Sequence, residues 1–430
     1  MTFRPYDPAN DKDAVHRIWR EVGWLDEKHQ TDVADAFLEA GRAWVAELRG
    51  EPECLVTTAL TTLRYLDDDL PFGCVTGVCT SRVARKQGLA SRLTARAVAE
   101  DAAAGLPLAG LGMFEQGFYN QLGFGTGGYE MWLSFDPALL NVPASARVPR
   151  RLTADDWQRV HAARLARRRA HGSCSMPHPV FTRHEMAWTK NGFGLGYCDG
   201  AHAELTHHLW CEPQEVETGP YTVKWITWRN RAQLLELLGL LKGLGDQVHC
   251  VKIPEPPGVQ MQDLLRQPFK QFTMTDRSKH AARIDTYAWW QMRMCDVPAC
   301  VERTRLPGDS VRFNLRLTDP IEQYLDQGAA WRGVAGDHVV TFGPQSRAEP
   351  GTDGGLPVLT ASVGAFTRLW LGVLPATGLA VSDELAGPPD LLARLDHVLR
   401  LPRPVTDWEF WARPENAGRP GRRQRRGPGT

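Results

Sequence analysis

The sequence predicts an α/β protein that is divided into several domains. The chain has 430 residues, more than one hydrophobic core usually organises, so two or three domains are expected. Around residue 90 it also shows a strand, a loop, a helix and a second strand in succession. That order is typical of a sheet covered by helices.

The elements of the first block follow from local periodicity. Val15, Ile18, Trp19 and Val22 recur at the i, i+3, i+4, i+7 spacing of an amphipathic helix. Runs rich in Val, Thr and Leu predict strands, and a Leu/Ala face that ends at a glycine predicts a second helix. The strands are expected at 44–46, 55–63, 75–80 and 106–113, and the second helix at 89–104.

Two further blocks follow, separated by stretches rich in proline and glycine. Thr153 with Asp155 and Asp156 predicts a capped helix start. We interpret GFGLGY as a hairpin turn, YTVKWITW as a strand, AQLLELLGLLKGLG and TASVGAFTRLWLG as helices, and GPQSRAEPGTDGGLP as a long loop. The predicted limits are 1–145, 146–283 and 284–411, with a tail at 412–430.

Composition excludes several classes of protein. Fifty basic and fifty acidic residues give a formal net charge of zero, so no global attraction to nucleic acid or membrane is expected. Nine scattered cysteines without a CxxC pair predict a reduced, cytoplasmic protein without a zinc site. His207 and His208 have no partner at metal-ligand spacing. The Arg-rich tail is interpreted as a solvated extension, the alternative being contact with an anionic surface.

One segment, 75–93, has the character of an anion site. A predicted strand leads into Arg85, Lys86 and Gly88, and a helix begins directly afterwards. Glycine lets the backbone approach a ligand closely, and a helix N-terminus favours negative charge. A pyrophosphate is therefore the expected ligand. The alternative is an ordinary strand–loop–helix with a solvated basic turn. No GxxxxGK[ST] and no GxGxxG after a strand is present, which argues against a P-loop or a dinucleotide fold.

A second segment makes the pattern more specific. RKQGLA at 85–90 resembles the pyrophosphate loop of the GNAT acetyltransferase superfamily, and FYNQLGFG at 118–125 resembles a later element of that superfamily. The resemblance implies acetyl-CoA as co-substrate and Tyr119 as the acid that protonates the departing thiolate. The alternative for Tyr119 is a core tyrosine with a satisfied hydroxyl.

The resemblance extends over residues 1–411. GPYTVKWITW, DQVHCVKIPEPP and QMRMCDVPACVERTR look like parts of the enhanced-intracellular-survival (Eis-like) family of N-acetyltransferases. This resemblance implies tandem GNAT-like domains with mixed central sheets and helices on both faces, of which the first alone is active. It also implies a C-terminal sterol-carrier-protein-like α+β domain, a hexamer, and an amine acceptor such as an aminoglycoside-like polyamine or a lysine side chain.

The resemblance assigns roles to particular residues. The strand that pairs with pantetheine matches Val78, Cys79 and Thr80. The pyrophosphate loop matches Arg85, Lys86, Gln87, Gly88, Leu89, Ala90 and Ser91. Phe114 and Glu115 match a strand end that faces the cofactor. An aromatic-lined amine pocket would use some of the tryptophans, Trp24 or Trp44 among them.

The general base is the point at which the sequence departs from that family. Family members end just after an aromatic residue, and their terminal carboxylate serves as the base, whereas residues 412–430 follow Trp411 here. Glu409 is the expected substitute. Asp407, a folded-back Thr430 or water are the alternatives. A different function also remains open, a non-enzymatic module that binds an apolar ligand in the C-terminal domain.

Overall fold

The residues that the structure describes form three β-sheets. The computed structural model describes residues 2–25, 31–201, 203–267 and 278–408. The strands are β1 Thr2–Pro5, β2 Arg42–Leu48, β3 Glu51–Tyr65, β4 Asp68–Thr80, β5 Leu108–Gly112, β6 Gly125–Thr126, β7 Glu130–Phe135, β8 Arg150–Leu152, β9 Cys174–Ser175, β10 Phe193–Asp199, β11 Glu204–Pro213, β12 Tyr221–Thr227, β13 Val251–Pro254, β14 Arg283–Tyr287, β15 Trp290–Met294, β16 Val311–Thr318, β17 Gly336–Phe342, β18 Arg347–Pro350, β19 Val358–Ser362 and β20 Leu385–Ala386. The helices are α1 Pro8–Val22, α2 Thr31–Ala40, α3 Leu89–Ala103, α4 Trp157–Leu165, α5 Val180–Trp188, α6 Arg231–Gly243, α7 Val297–Val301, α8 Val363–Trp370, α9 Ala376–Ser382 and α10 Pro389–Val398.

The first sheet has the order β1-β2-β3-β4-β5-β15-β6, with β9 on β3. Its neighbours are antiparallel except for β4 and β5, which run parallel. The apolar faces of α1 and α2 pack on one side of the sheet, and Leu89, Leu93 and Ala97 of α3 pack on the other. The helices and strands expected in the first block are confirmed. Periodicity predicted them because the apolar positions of each element are the ones that face the core.

The second sheet repeats part of this arrangement. Its order is β14-β7-β13-β12-β11-β10-β8, and β12 and β13 form the parallel pair. Helix α6 follows β12 as α3 follows β4. A capping box between Thr153 and Asp156 starts the turn that leads into α4, as expected.

Two loop predictions are wrong. All but the first residue of the segment GFGLGY lies within strand β10 rather than in a hairpin turn. Its glycines make room for the neighbouring strand, since a Cβ on Gly194 would lie 2.9 Å from the Trp210 ring and one on Gly196 2.6 Å from His208 Cβ. The predicted long loop after Phe342 contains strand β18, which pairs with β17.

The third sheet, β18-β17-β16-β19-β20, is packed by α8 and α10. Some strands of one predicted block pair in the sheet of another block. Strand β7 of the first block pairs in the second sheet, and β15 of the third block lies between β5 and β6 of the first. The domain limits and the sterol-carrier likeness of the C-terminal region stay predictions.

Candidate active site

A bulge opens the first sheet between β4 and β5. Thr57 pairs with Gly77 and Thr58 pairs with Val75, so Thr76 is an extra residue in β4. The parallel pairing with β5 ends at Val75 opposite Leu111, although β4 continues to Thr80. The last five residues of β4 therefore diverge from β5 and offer backbone hydrogen-bond groups to a wedge-shaped cleft.

The loop after β4 closes one end of this cleft. Lys86 and Gly88 adopt left-handed conformations, with φ of 61° and 73°, and the loop is exposed from Arg85 to Gly88. Such turns aim successive backbone N–H groups at one point. Gly88 is the N-cap of α3 and provides no side-chain acceptor, and the first turn of α3 has no acidic residue. The positive end of the helix is thus available to an anion.

Most of the residues predicted to bind the cofactor lie at the end of β4, in the loop after it or in the first turn of α3. Val78 and Thr80 are half-buried and Cys79 is buried in the diverging part of β4. Leu89 anchors α3 in the core, whereas Ala90 is half-buried beside it. The hydroxyl of Ser91 accepts a hydrogen bond from Gln121 at 3.5 Å.

Tyr119 lies on the opposite side, in the chain that follows β5. Its side chain is 8% exposed and packs edge-on against Phe118 and Phe124. Burial raises the pKa of the Tyr119 hydroxyl above its usual value, and the nearby thiols of Cys54 and Cys79 raise it further. The side chain is therefore a neutral proton donor at physiological pH.

Strand β15 holds the Tyr119 loop in place. Asn120 accepts hydrogen bonds from the Gly117 amide and from Gln291 Nε2, both at 3.0 Å. Arg293 donates to the carbonyl of Leu122 and forms an ion pair with Asp319 at 2.5 Å. The sequence reading missed Gln291 and Arg293, although two polar residues alternating within the apolar run WWQMRMC were a signal for them.

Aromatic side chains form the rim of the cleft. Trp24 stacks on Phe114 with ring centroids 6.1 Å apart, and a Cβ on Gly77 would lie 3.9 Å from the Trp24 ring. Phe114 is 59% exposed, and Glu115 beside it is also exposed. Trp44, the other candidate for the amine pocket, is 6% exposed and belongs to the core.

The remaining candidates have structural partners or lie outside the described residues. His207 bonds to Glu236 at 2.9 Å, and His208 accepts from the Trp225 indole at 3.1 Å. Asp407 is held by Arg167 at 2.8 Å. Glu409 and Thr430 lie outside the described residues.

Neither a candidate metal site nor a membrane-spanning helix is found in the described part of the chain. Within it, no group of three or more His, Cys, Asp or Glu residues has an arrangement that would hold a metal ion. None of the helices described is both long and apolar enough to span a membrane.

Comparisons with known proteins agree with this geometry. Residues 3–127 match the family described as an acetyltransferase (GNAT) domain. No curated protein matches the chain.

Several solved structures share the fold over nearly the whole chain. A probable N-acyltransferase of Enterococcus faecalis is 15% identical, with a TM-score of 0.73 over 94% of this chain and 97% of that one. A GCN5-related N-acetyltransferase of Anabaena variabilis is 12% identical, with a TM-score of 0.74 over 94% and 99%. Eis1 of Mycobacterium abscessus is 16% identical, with a TM-score of 0.73 over 95% and 100%.

At these identities the structures establish the fold alone. The family match, in contrast, spans the elements that build the cleft, from β1 through α3 and β5 to the Tyr119 loop. Residues 3–127 of this chain therefore match a GNAT acetyltransferase domain, within a fold that the chain shares with these three proteins.

Proposed function

We propose that the chain is an acetyl-CoA-dependent N-acetyltransferase that acts on a primary amine. The observation that carries the proposal is the cleft between β4 and β5, with an uncapped helix N-terminus at one end and a buried tyrosine on its far side. In this arrangement the loop Arg85–Ser91 receives the pyrophosphate. The diverging residues Val78–Thr80 pair with the pantetheine arm, which resembles a peptide. The thioester then lies near Phe114 and Glu115.

The transfer is proposed to be direct rather than through an acyl-enzyme. A cysteine that accepts an acyl group must be a thiolate, and thiolates form at positive, partly exposed sites. Burial raises the pKa of Cys54 to about 11 and raises that of Cys79 well above its usual value. Both thiols beside the cleft therefore stay protonated, and the amine itself attacks the carbonyl carbon.

The proposed transfer forms a carbon–nitrogen bond before the carbon–sulfur bond breaks. The amine nitrogen forms a bond to the carbonyl carbon, and a backbone N–H near Val78 stabilises the oxyanion. Collapse of the intermediate breaks the bond from carbon to sulfur, and Tyr119 donates its proton to the departing CoA thiolate. The nitrogen, now part of the amide, releases its second proton to solvent, and Tyr119 regains a proton from solvent. The ammonium group of the acceptor must lose a proton before the attack, so a base is needed.

Glu409 is the proposed base. Asp407, the alternative side chain, is bound to Arg167 through both carboxylate oxygens. Trp408, the residue before Glu409, is 1% exposed and donates to Glu185 of α5 at 3.1 Å. Trp188, one turn after Glu185 in α5, packs edge-on against Trp19, which in turn contacts Trp24 at the rim of the cleft. Trp408 is thus linked to the aromatic residues at the rim, and this link supports the choice of Glu409 over Asp407 as the base.

We expect Glu409→Gln to lower kcat for an amine substrate by about tenfold or more, because loss of a general base costs at least that much. Truncation after Trp411 should leave the rate intact or raise it, since residues 412–430 contain nothing apolar to offset the ordering of a folded-back tail. Steady-state kinetics of both variants are the measurement. A folded truncated enzyme that binds acetyl-CoA but has lost activity would point to Thr430 instead.

The acceptor is proposed to be an aminoglycoside-like polyamine or a lysine side chain. The rings of Trp24 and Phe114 suit a cationic amine, because cations interact favourably with aromatic faces. A hexameric, cytoplasmic enzyme is the accompanying proposal. The competing function is that of a carrier for an apolar ligand bound by the C-terminal region.

A thermal-shift screen followed by an activity assay separates the two functions. Acetyl-CoA should raise the midpoint of thermal unfolding, whereas fatty acids and sterols should not. A panel of amines assayed by release of free thiol then identifies the acceptor. Stabilisation by apolar ligands alone, with no thiol release from any amine, would contradict the enzyme proposal.

Gly88→Asp tests the pyrophosphate loop. A carboxylate at this N-cap would occupy and repel the position of the pyrophosphate, so we expect at least a hundredfold loss of affinity for acetyl-CoA, about 2.7 kcal/mol. Stability should fall by only about 1 kcal/mol, because the position is left-handed but a Cβ there meets no atom within 4 Å. Calorimetric titration with acetyl-CoA is the measurement.

Gly50→Asp is the matched control for that variant. Gly50 is also left-handed, with φ of 86°, is exposed, and has open space around a Cβ, but it lies in the turn between β2 and β3. Its aspartate variant should pay the same conformational cost and bind acetyl-CoA normally. Equal affinity in the Gly88 and Gly50 variants would remove the loop from the site.

A further inference from the structure

The second sheet contains a cleft built in the same way as the first. Trp210 pairs with Trp225 and Cys211 with Val223, so Lys224 is an extra residue in β12. The parallel pairing of β12 with β13 covers only Tyr221 and Thr222, after which the two strands diverge. A cavity of about 830 Å³ lies in this wedge, bounded also by the segments at 254–262 and 402–408.

This second cleft is not suited to CoA. In the first domain, Ser81–Gly88 separates the end of β4 from α3, and that length forms the pyrophosphate loop. In the second, only Trp228–Asn230 separates β12 from α6. The Asn230 side chain accepts from the Gln233 amide at 3.1 Å, so the helix N-terminus is already capped. A pyrophosphate would find no loop of comparable length there, and the Asn230 side chain already occupies the start of the helix.

The cavity nevertheless has the size and lining of a ligand site. Its volume falls within the range of roughly 300–1,000 Å³ that small-molecule pockets occupy. Rings of Trp132, Trp225, Trp228 and Tyr287 line it. These rings supply large flat apolar surfaces, which favour a ligand that contains an aromatic ring system.

The charges around the cavity favour an anionic guest. Its carboxylates are already engaged, Asp407 by Arg167, Glu130 by the indole of Trp289 at 2.6 Å, and Glu255 by a backbone amide. Within the described residues, the guanidinium groups of Arg168 and Arg403 have no carboxylate partner, and both residues line the cavity.

A third cation lies deeper in the cleft. Lys252 is 8% exposed, and its Nζ is 5.8 Å from the Trp132 ring and 5.7 Å from the Tyr287 ring. Its Nζ also lies 3.9 Å from a carboxylate oxygen of Asp285. Because solvent screens a buried charge less than an exposed one, this cation attracts an anion in the cavity more strongly.

We propose that the cleft between β12 and β13 binds organic anions that carry an aromatic body, at a site separate from the acetyl-CoA cleft. The anionic group lies among Arg168, Lys252 and Arg403, and the aromatic body lies against the tryptophans. A carboxylate, sulfonate or phosphate ester satisfies the same requirement. The site does not depend on catalysis in the first domain.

Two fluorescent probes of nearly equal shape test this proposal on the full chain. 8-Anilinonaphthalene-1-sulfonate carries the anion, and N-phenyl-1-naphthylamine lacks it. We expect saturable binding of the sulfonate with a stoichiometry of one. The double variant Arg168→Gln/Arg403→Gln should weaken it by about tenfold, while the neutral probe changes by less than about twofold. Both arginines are exposed, so the substitutions should not impair folding.

Controls locate the probe. Arg159→Gln, on an exposed residue of α4 outside the cavity, should bind both probes as the wild type does. Ile226→Trp should fill the wedge and abolish binding of both, provided that its thermal unfolding is unchanged. Saturating acetyl-CoA should not displace the sulfonate. Displacement by acetyl-CoA, absence of saturable binding, or equal affinity in the double arginine variant would each overturn the proposal.

Discussion

Replacing Asp319 with alanine is expected to destabilise the protein by about 3–5 kcal/mol, because it leaves a buried guanidinium without its partner. The side chains of Arg293 and Asp319 are 0% and 1% exposed, and their ion pair has a distance of 2.5 Å. Asp319 also accepts from the amides of Ile321 at 3.1 Å and Val334 at 2.9 Å. The substitution therefore breaks a network that joins the first sheet to the C-terminal region.

Asp337→Ala is the matched control. Asp337 pairs with Arg316 at 3.4 Å in the same C-terminal sheet, but the two side chains are 41% and 63% exposed. Its loss should cost less than about 1 kcal/mol. Urea denaturation followed by circular dichroism measures both variants. The double variant Arg293→Met/Asp319→Leu should recover part of the loss, because it removes the uncompensated charge. A cost below about 1 kcal/mol for Asp319→Ala would show that Arg293 is not held as described.

The same variant has a consequence for the active site. Arg293 donates to the carbonyl of Leu122, and the amides of Leu122 and Phe124 both donate to the carbonyl of Tyr119. When Arg293 moves to find another partner, the turn that carries Tyr119 loses an anchor. Arg293 is thus a positioning residue, and protein that still folds should have a lowered kcat with acetyl-CoA affinity close to normal.

Local signals were sufficient to predict the strand, loop and helix of the candidate cofactor site. The strand β4, the loop from Arg85 to Gly88 and the helix α3 are consecutive in the chain, and their periodicity and glycine are visible within one segment. The sequence does not show the bulge at Thr76 directly, but the bulge lies inside a strand that was predicted. For this reason the fold class and the position of the loop could be read without the structure.

Contacts between distant segments could not be predicted in this way. Strand β15 enters the first sheet between β5 and β6, so Gln291 and Arg293 support a turn that lies far earlier in the chain. The stacking of Trp24 on Phe114 is likewise long-range. Periodicity reports which face of an element is buried but not which partner covers it. The cleft of the second sheet was missed because its strand and helix lack the glycine loop that marks the first.

Tyr119→Phe should lower kcat by about a hundredfold or more, with acetyl-CoA affinity nearly unchanged, because it removes the proton and keeps the ring. Tyr119 is 8% exposed, and no hydrogen bond to its hydroxyl is found among the described residues, so the fold should tolerate the loss. Steady-state kinetics with a responsive amine measure the effect. Tyr6→Phe, a half-buried tyrosine of the same domain, is the control and should leave kcat unchanged.

The pH profile distinguishes an acid from a merely structural tyrosine. Burial raises the pKa of Tyr119 above the usual value near 10, so the acid stays protonated across the accessible alkaline range. In the wild type, kcat/KM for the amine should rise as the amine deprotonates and show no descending limb below about pH 10. In Tyr119→Phe the remaining rate depends on protonation of the thiolate by water. A descending limb near pH 8–9 in the wild type would mean that another group is the acid, and an unchanged kcat in the variant would mean that solvent protonates the thiolate.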